Sequence, residues 1–199
     1  MKRHAPATQR NREPILAVLR RILPASGLLI EIAAGSGEHG AFLAPHFSGL
    51  AWQPSDIDSD NLASIDAWRT ETEADNLLPP IRLDVRERPW PVDPAAAVFC
   101  ANMIHISPWD CTPALMMGAG EALVPGGTLV VYGPFMVDGA HTAPSNADFD
   151  VWLKEQNPAW GVRDLGAVAD EAARAGLAHV ETIPMPANNM TVIWRKRGA

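Results

Sequence analysis

The sequence predicts an α/β fold in which a seven-stranded, mostly parallel sheet is covered by helices on both faces. Three observations support this prediction. Strand-length apolar runs alternate with segments whose apolar residues recur at helical spacing. Residues 95–101 are continuously apolar, as expected of a central parallel strand that is buried on both faces. Residues 28–40 join a strand-like run to three closely spaced glycines, which is typical of a turn that approaches a ligand.

The first 26 residues predict a basic arm followed by a helix. Ile15, Val18, Leu19 and Ile22 are spaced as one buried face of a helix. Asn11 is a suitable cap for the start of this helix, because its side chain can accept from a free backbone N–H. Basic residues outnumber acidic ones over residues 1–21, which also permits a transit peptide or a phosphate patch. The helical spacing favours the packed helix.

The rest of the chain predicts strands and helices in alternation. The predicted strands are residues 28–33, 50–54, 81–84, 95–101, 128–132, 182–183 and 192–194. The predicted helices cover residues 38–47, the stretch around Leu62, Ile65 and Trp68, the stretch around Leu115, Met116 and Ala119, and residues 147–156 and 165–175. The last two strands flank a turn at 186–189, so we expect them to form an antiparallel hairpin.

One domain is expected from a chain of 199 residues. We expect residues 1–26 to form an arm and helix that cover the pocket, and residues 27–199 to form the main domain. Residues 133–164 are polar, turn-rich and aromatic, and a connection of this length inside a compact domain is usually functional. We therefore expect this stretch to be a substrate-binding insertion.

Composition excludes several classes of protein. A net charge of −7 argues against a broad nucleic-acid interface, which requires clustered lysine and arginine. No apolar run approaches the length of a membrane span, so we expect no membrane partner. The two cysteines, Cys100 and Cys111, suggest neither a disulfide framework nor a zinc site, and no other metal-ligand cluster is evident. A reducing cytoplasm is the default location.

The turn after the first strand carries the main functional signal. Gly35, Gly37 and Gly40 satisfy G-x-G-x-x-G, which alone fits NAD as well as other adenosine ligands. In a dinucleotide fingerprint the first glycine usually follows the strand directly. Here Ala33 and Ala34 intervene, and an acid, Glu31, lies near the end of the strand. These two departures favour an adenosine ligand other than NAD.

This arrangement resembles motif I of the class I S-adenosylmethionine-dependent methyltransferases, whose Rossmann-like fold has the sheet predicted above. The resemblance implies that Glu31 meets the charged amino-acid end of the cofactor. It also implies that the turn formed by Ala33, Gly35, Ser36 and Gly37 passes beneath the ribose.

Three further positions match this family in order and spacing. By the resemblance, Asp56 accepts hydrogen bonds from both ribose hydroxyls, with Ile57 beside it; the alternative is that Asp56 caps the following helix. Asp84 would accept from the adenine amine while Val85 covers the ring, and the alternative is a surface-loop aspartate. Asn102 follows the fourth strand, which lines the methyl-transfer site in this superfamily.

A closer resemblance covers residues 8–196. It is to a small family of methyltransferase-like proteins of bacteria and animals that is carried as a domain of unknown function. The matching segments are residues 10–15, 52–56, 102–109, 132–134, 157–164 and 185–189. This resemblance implies the fold and the cofactor, and it supplies no substrate.

The resemblance implies in-line methyl transfer from S-adenosylmethionine to a small molecule, which leaves S-adenosylhomocysteine. His105 is a candidate general base, since an imidazole has a pKa near neutrality; the alternative is a histidine that caps the next helix. Tyr132 ends the fifth strand and is the second catalytic candidate. The candidates for substrate binding are Asn11, Glu13, Asn146, Trp160 and Arg163. Local caps or a surface ion pair would explain these residues equally well.

Three other functions remain open at this point. A protein-methylating enzyme would need an open acidic groove. An NAD(P)-dependent reductase would share the glycine turn and the spacing to Asp56, although no Tyr-x-x-x-Lys pattern is present. A pseudoenzyme that binds the cofactor and serves as an interaction module would share every cofactor contact.

Overall fold

The computed structural model of this chain describes residues 1–198. The helices are α1 (Pro6–Ile22), α2 (Glu38–Leu43), α3 (Ser59–Glu71), α4 (Cys111–Ala122), α5 (Pro144–Gln156) and α6 (Leu165–Arg174). The strands are β1 (Gly27–Ile32), β2 (Leu50–Asp56), β3 (Ile81–Arg82), β4 (Ala95–Ala101), β5 (Leu123–Gly133), β6 (Phe135–Val137), β7 (Ala140–His141), β8 (Arg163–Asp164), β9 (Leu177–Met185) and β10 (Asn189–Lys196).

Seven of these strands form the main sheet, in the order β3-β2-β1-β4-β5-β10-β9. Strands β3, β2, β1, β4 and β5 pair in parallel with one another. Strand β10 inserts between β5 and β9 and is antiparallel to both. The prediction of a seven-stranded, mostly parallel sheet with a C-terminal antiparallel hairpin is therefore confirmed.

Successive side chains of the central strands point to opposite faces of the sheet and divide the core into two layers. On one face, Leu29 of β1 and Phe99 of β4 pack with apolar residues of α1 and α2. On the other face, Ile30 of β1 and Val98 of β4 pack with α4 and α6. Because successive side chains of a strand point to opposite faces, a strand covered on both sides must be apolar at every position. This is why residues 95–101 read as one uninterrupted apolar run.

The first helix begins earlier than the sequence suggested. Helix α1 starts at Pro6, five residues before Asn11, and the cap position is Ala5. Proline is favoured in the first turn because its missing N–H would have no helical partner there and its φ is already helical. The expectation that Asn11 caps this helix is therefore wrong. Asn11 lies inside α1 and is buried.

Residues 133–164 form structure beside the main sheet. Strands β7, β6 and β8 make a small three-stranded sheet, and α5 lies between β7 and β8 in the chain. Helix α5 begins at Pro144, three residues before the predicted start. None of the helices within residues 1–198 is long and apolar enough to cross a membrane.

Candidate functional site

The site lies where the central parallel strands end. Strands β1, β4 and β5 all leave the sheet at the same edge, and the strand order reverses between β1 and β4. In open α/β sheets, ligands bind at such a reversal point, outside the carboxyl ends of the strands. The residues that directly follow the two strands, Ala33 and Asn102, have positive φ angles of 51° and 62°. This conformation is strained for a residue with a Cβ, and such strain clusters at functional sites.

The glycine turn combines one crowded and one open position. At Gly37 (φ 90°), an added Cβ would lie 2.7 Å from the Cα of Ile65, so this glycine lets the turn pack against α3. At Gly35 (φ 58°), the nearest atom to an added Cβ would be the carbonyl oxygen of Ala33, 4.0 Å away. Gly35 therefore exposes bare backbone, and a ligand can approach it closely. Ser36 fixes the turn through its carbonyl, which accepts from the hydroxyl of Ser64 at 2.7 Å.

Asp56 ties this turn to the end of β2. Its carboxylate accepts hydrogen bonds from the backbone N–H of Gly35 at 2.9 Å and of Asp58 at 3.0 Å, and from the side chain of Asn61 at 3.2 Å. The cap of α3 is Asp58, which accepts from two backbone N–H groups of that helix. The cap of α3 is therefore Asp58, and not Asp56 as the alternative interpretation had it. Next to Asp56, the side chain of Ile57 is more than half exposed.

Glu31 lies beneath the turn rather than within it. The residue is only 2% exposed, and its carboxylate accepts from the indole N–H of Trp52 at 2.7 Å. Burial raises the pKa of Glu31 to about 7. The hydrogen bond from Trp52 opposes that shift in pKa, and the nearby charge of Asp56 adds to it. An ionised Glu31 is consequently costly in this structure, and a cation placed beside it would lower that cost.

The predicted adenine contacts lie farther along the same edge. Asp84 receives two hydrogen bonds from the guanidinium of Arg86, at 3.0 and 2.7 Å, and these bonds hold the pKa of Asp84 below its usual range. Val85 is buried, and its carbonyl accepts from the indole of Trp90 at 3.2 Å. The roles of Asp84 and Val85 toward adenine stay predictions, and in this structure Asp84 is engaged with Arg86.

A cavity of about 640 Å³ opens beside this edge. It brings together four residues that the sequence suggested for cofactor, catalysis or substrate: Asn11, Asn102, Tyr132 and Asn146. The walls come from α1, the ends of β4 and β5, α5, and the turn between β9 and β10, and the residues that line it are Ala7, Arg10, Asn11, Asn102, Ile106, Tyr132, Pro134, Ser145, Asn146, Phe149, Pro186, Ala187 and Asn189.

A buried polar chain connects the cavity to the glycine turn. The imidazole Nε2 of His39, in α2, lies 2.8 Å from the side-chain oxygen of Asn11. That oxygen can only accept, so Nε2 carries the proton. Burial lowers the pKa of His39 to about 4, so the ring is neutral near neutral pH. Burial also raises the pKa of Tyr132, while a hydrogen bond with Asn11 acts in the opposite direction. Tyr132 is therefore an un-ionised phenol.

Asn146 presents an acceptor on the opposite wall. Its amide nitrogen donates to the hydroxyl of Thr142 at 3.0 Å and to the carbonyl of Asn188 at 2.9 Å. A backbone carbonyl can only accept, which fixes the orientation of the amide. Both N–H groups are then used, and the carbonyl oxygen of Asn146 remains for a ligand that carries an O–H or N–H donor.

His105 does not line the cavity, and its role as a general base stays a prediction. The ring is completely buried, edge-on to Phe135, and its Nδ1 accepts from the backbone N–H of Arg163. Burial is the main cause that lowers the pKa of His105 to about 3, and the charge of Arg163 adds to it. Burial therefore makes His105 a weak base in this structure, and the ring has no direct access to the cavity.

Three predicted substrate contacts also lie outside the cavity lining. The guanidinium of Arg163 donates to the carbonyls of Ile104, Ser107 and Ala159, so it joins the segment after β4 to the segment after α5. Trp160 belongs to that second segment, and Glu13 is exposed on α1. These contacts do not support a direct role for Arg163, Trp160 or Glu13 at an acceptor, because none of the three lines the cavity.

Sequence reasoning missed several lining residues. Arg10, Ile106, Phe149 and Asn189 come from four separate parts of the chain and are brought together only by the fold. Arg10, Ile106 and Asn189 lie within the segments that resemble the methyltransferase-like family, and this was the available signal. Phe149 stacks on Trp152, with ring centroids 5.8 Å apart. Periodicity alone did not distinguish the cavity face of α5 from its other faces.

Comparisons with known proteins agree with this fold. The profile of a family described as "Protein of unknown function (DUF938)" matches residues 2–196. Among solved structures, an O-methyltransferase family 2 protein from Planctomyces limnophilus, in complex with apigenin, is 19% identical with a TM-score of 0.75; the match covers 93% of this chain and 61% of that one. An O-methyltransferase family protein from Burkholderia thailandensis is 18% identical with a TM-score of 0.78, over 97% of this chain and 58% of that one.

Human N-acetylserotonin methyltransferase, in complex with S-adenosylmethionine, is 13% identical with a TM-score of 0.78, and the match covers 96% of this chain and 53% of the human chain. This chain thus spans between half and two thirds of the length of these three structures. The similarity establishes the class I methyltransferase fold.

The raised pKa of Glu31 predicts a pH-dependent stability. The carboxyl binds its proton more tightly when folded, so the free energy of unfolding falls as pH rises from about 4.5 to about 7. Glu31→Gln keeps an acceptor for Trp52 and removes the titration. The free energy of unfolding of the variant, measured relative to that of the parent, should therefore be about 2 kcal/mol higher at pH 8 than at pH 5. This difference corresponds to about 4–8 °C in melting temperature.

Thermal melts of both proteins across this pH range measure the difference. Glu13→Gln, at an exposed position of α1, is the control and should show no growing gap. A gap between Glu31→Gln and the parent that is equal at pH 5 and pH 8 would contradict the assignment of the titrating group.

Proposed function

The chain belongs to the DUF938 family, whose function is unknown, and we propose that it transfers a methyl group from S-adenosylmethionine to a small-molecule acceptor. The observation that carries this proposal is the junction of two features at one sheet edge. A glycine turn with an open face at Gly35 follows β1, and the 640 Å³ cavity begins at Asn102, after the neighbouring strand β4.

The residues of the turn fit the cofactor. Gly35 offers bare backbone on its open side, Asp56 supplies a carboxylate, and Ile57 supplies an exposed apolar surface beside it. Asp56 supplies a negative charge, and a cation beside the buried Glu31 would favour its ionised form, so these two residues favour a ligand with positive charge. When bound, S-adenosylmethionine supplies a methyl group that its sulfonium already makes electrophilic. The protein then has to bind, orient and exclude water.

The cavity fits the acceptor. Small-molecule sites commonly have volumes of roughly 300–1,000 Å³, and this cavity is within that range. Its walls from α1 and α5 would limit access of water and of a side chain held on a large protein surface. Holding an acceptor in line with the methyl group can lower the barrier by about 7–11 kcal/mol through orientation alone. In this proposal, Asn102 and Tyr132, which line the cavity at the ends of β4 and β5, orient the acceptor by hydrogen bonds.

Proton transfer at the cavity is limited by its lining. Arg10 and Tyr132 are the two lining residues with titratable side chains, and burial raises the pKa of Tyr132. Neither side chain is a base near neutral pH. We therefore infer that catalysis rests on orientation, and that the acceptor presents a nucleophile that can react without a strong protein base.

The nicotinamide alternative is the less favoured one. A Tyr-x-x-x-Lys pair is absent, since the single tyrosine, Tyr132, is followed four residues later by Met136. The three solved structures reported above carry methyltransferase or O-methyltransferase family names, and their similarity to this chain supports methyl transfer over a nicotinamide reaction. A binding experiment that compares S-adenosylhomocysteine with NAD and NADP distinguishes the two functions directly.

Cofactor preference is the first test. At about 100 times its Kd, S-adenosylhomocysteine should stabilise the protein by roughly 2.7 kcal/mol, or about 5–10 °C in a thermal melt. NAD and NADP at the same concentration should leave the melting temperature unchanged. A shift with NAD and none with S-adenosylhomocysteine would replace this proposal with the reductase.

Asp56→Ala is the second test. Loss of charge-assisted hydrogen bonds to the ribose should cost about 1.5–3 kcal/mol of binding energy, which is tenfold or more in the Kd for S-adenosylhomocysteine. Asp58→Ala is the matched control, two residues away. It removes the cap of α3 and should lower stability by about 1 kcal/mol while the affinity stays the same. Calorimetry measures the Kd for S-adenosylhomocysteine in both folded variants. An equal Kd in Asp56→Ala and Asp58→Ala would contradict a role of Asp56 in binding the cofactor.

A further inference from the structure

The polar groups that line the cavity are neutral except for one cation. Its lining carries the amides of four asparagines, the hydroxyls of Ser145 and Tyr132, and the guanidinium of Arg10. No aspartate or glutamate lines it, although the whole chain has a net charge of −7. A cavity in an acidic protein that is lined by one cation and by neutral amides favours a ligand with a negative charge.

Arg10 is the free cation of this cavity. Within residues 1–198 its guanidinium makes no hydrogen bond or ion pair with another residue. Two other arginines of α1, in its last turn, do have partners: Arg20 lies 3.2 Å from a ring nitrogen of His46, and Arg21 donates to Glu181 at 2.8 Å. The charge of Arg10 also acts on the pKa of Tyr132, which lies deep in the same cavity. The guanidinium therefore belongs to a residue that lines the cavity and has no protein partner there.

The planar shape of the Arg10 guanidinium indicates which kind of anion would bind to it. Its planar fork matches the two oxygens of a carboxylate and forms two parallel hydrogen bonds with them. The adjoining walls are apolar at Ile106 and Phe149, so they would lie against a flat carbon skeleton. A small organic acid meets both conditions.

We propose that Arg10 is the carboxylate-binding subsite of this cavity. The inference rests on the proposed function, in which two molecules share the site. One source of the carboxylate is an acceptor that is an organic acid. The other source is the amino-acid end of S-adenosylmethionine. Both present the same chemistry to Arg10, and paired probes separate them.

The experiment is calorimetry with the full chain, using two pairs of probes. S-adenosylhomocysteine and 5′-methylthioadenosine share an adenosine thioether, and only the first has a carboxylate. On protein saturated with S-adenosylhomocysteine, 4-hydroxybenzoate and 4-hydroxybenzamide share a ring and a hydroxyl that suits the free oxygen of Asn146, and only the first is an anion. The variants are Arg10→Gln and, as the matched control on the same helix, Arg20→Gln.

The carboxylate-bearing member of at least one pair should bind the parent protein at least tenfold more tightly than its partner. Arg10→Gln should abolish that preference, and Arg20→Gln should retain it. Loss of the preference in the first pair places the carboxylate on the cofactor, and loss in the second pair places it on the acceptor.

The subsite is refuted if neither pair shows a preference, or if the preference survives in Arg10→Gln. These outcomes differ from a failure of the proposed function, which would appear as no binding of S-adenosylhomocysteine to the parent protein. Thermal melts of Arg10→Gln check that it folds, and replacement of an exposed side chain on α1 should leave its melting temperature near that of the parent.

Discussion

The parallel pairing of β1 with both β2 and β4 is the constraint on which the site depends. It makes three neighbouring strands end at one edge, and it fixes where the chain must turn away. Ala33 and Asn102 take positive φ angles at these turns, at a cost of about 1–2 kcal/mol each for residues with a Cβ. Two more such residues, Ala187 and Asn188, lie in the turn beside the cavity. The sheet holds these turns in place, because its register on either side is set by buried apolar pairs.

Two sets of polar contacts meet at this edge, and each serves a different part of the site. The carboxylate of Asp56 holds the turn through the N–H of Gly35. The side chain of Asn11, on α1, contacts His39 at the start of α2. A second hydrogen bond of Asn11, with Tyr132 in the cavity, acts to lower the pKa of that tyrosine. Helix α1 therefore contacts α2, which follows the glycine turn, and also forms part of the cavity wall. Its early start at Pro6 brings Ala7 and Arg10 into the cavity wall as well.

Local patterns predicted the sheet well and the cavity only in part. The run at 95–101 became β4 at those residues, because burial on both faces leaves no choice of residue type. The start of α1 was misplaced, since Asn11 has the chemistry of a cap and nothing local reveals its contact with His39. Arg163 was assigned to substrate for a similar reason. Two of its three carbonyl partners, Ile104 and Ser107, lie more than fifty residues away, and such contacts depend on the finished fold.

The acid at the end of β1 illustrates the same limit for the cofactor site. The sequence resemblance placed Glu31 in the site, but only the structure reveals that it is covered by Trp52 and lies close to Gly40, where an added Cβ would be 2.9 Å from its carboxylate oxygen. Spacing along the chain identifies which residues reach an edge. It does not determine how deeply each one lies, because depth depends on side chains from other strands and helices.

A crystal structure with S-adenosylhomocysteine bound tests the central claim most directly. The account predicts the adenosine over Gly35, the ribose hydroxyls at Asp56, and the sulfur facing the cavity between Asn102 and Tyr132. Adenosine bound elsewhere, or a sulfur directed away from that cavity, would contradict it.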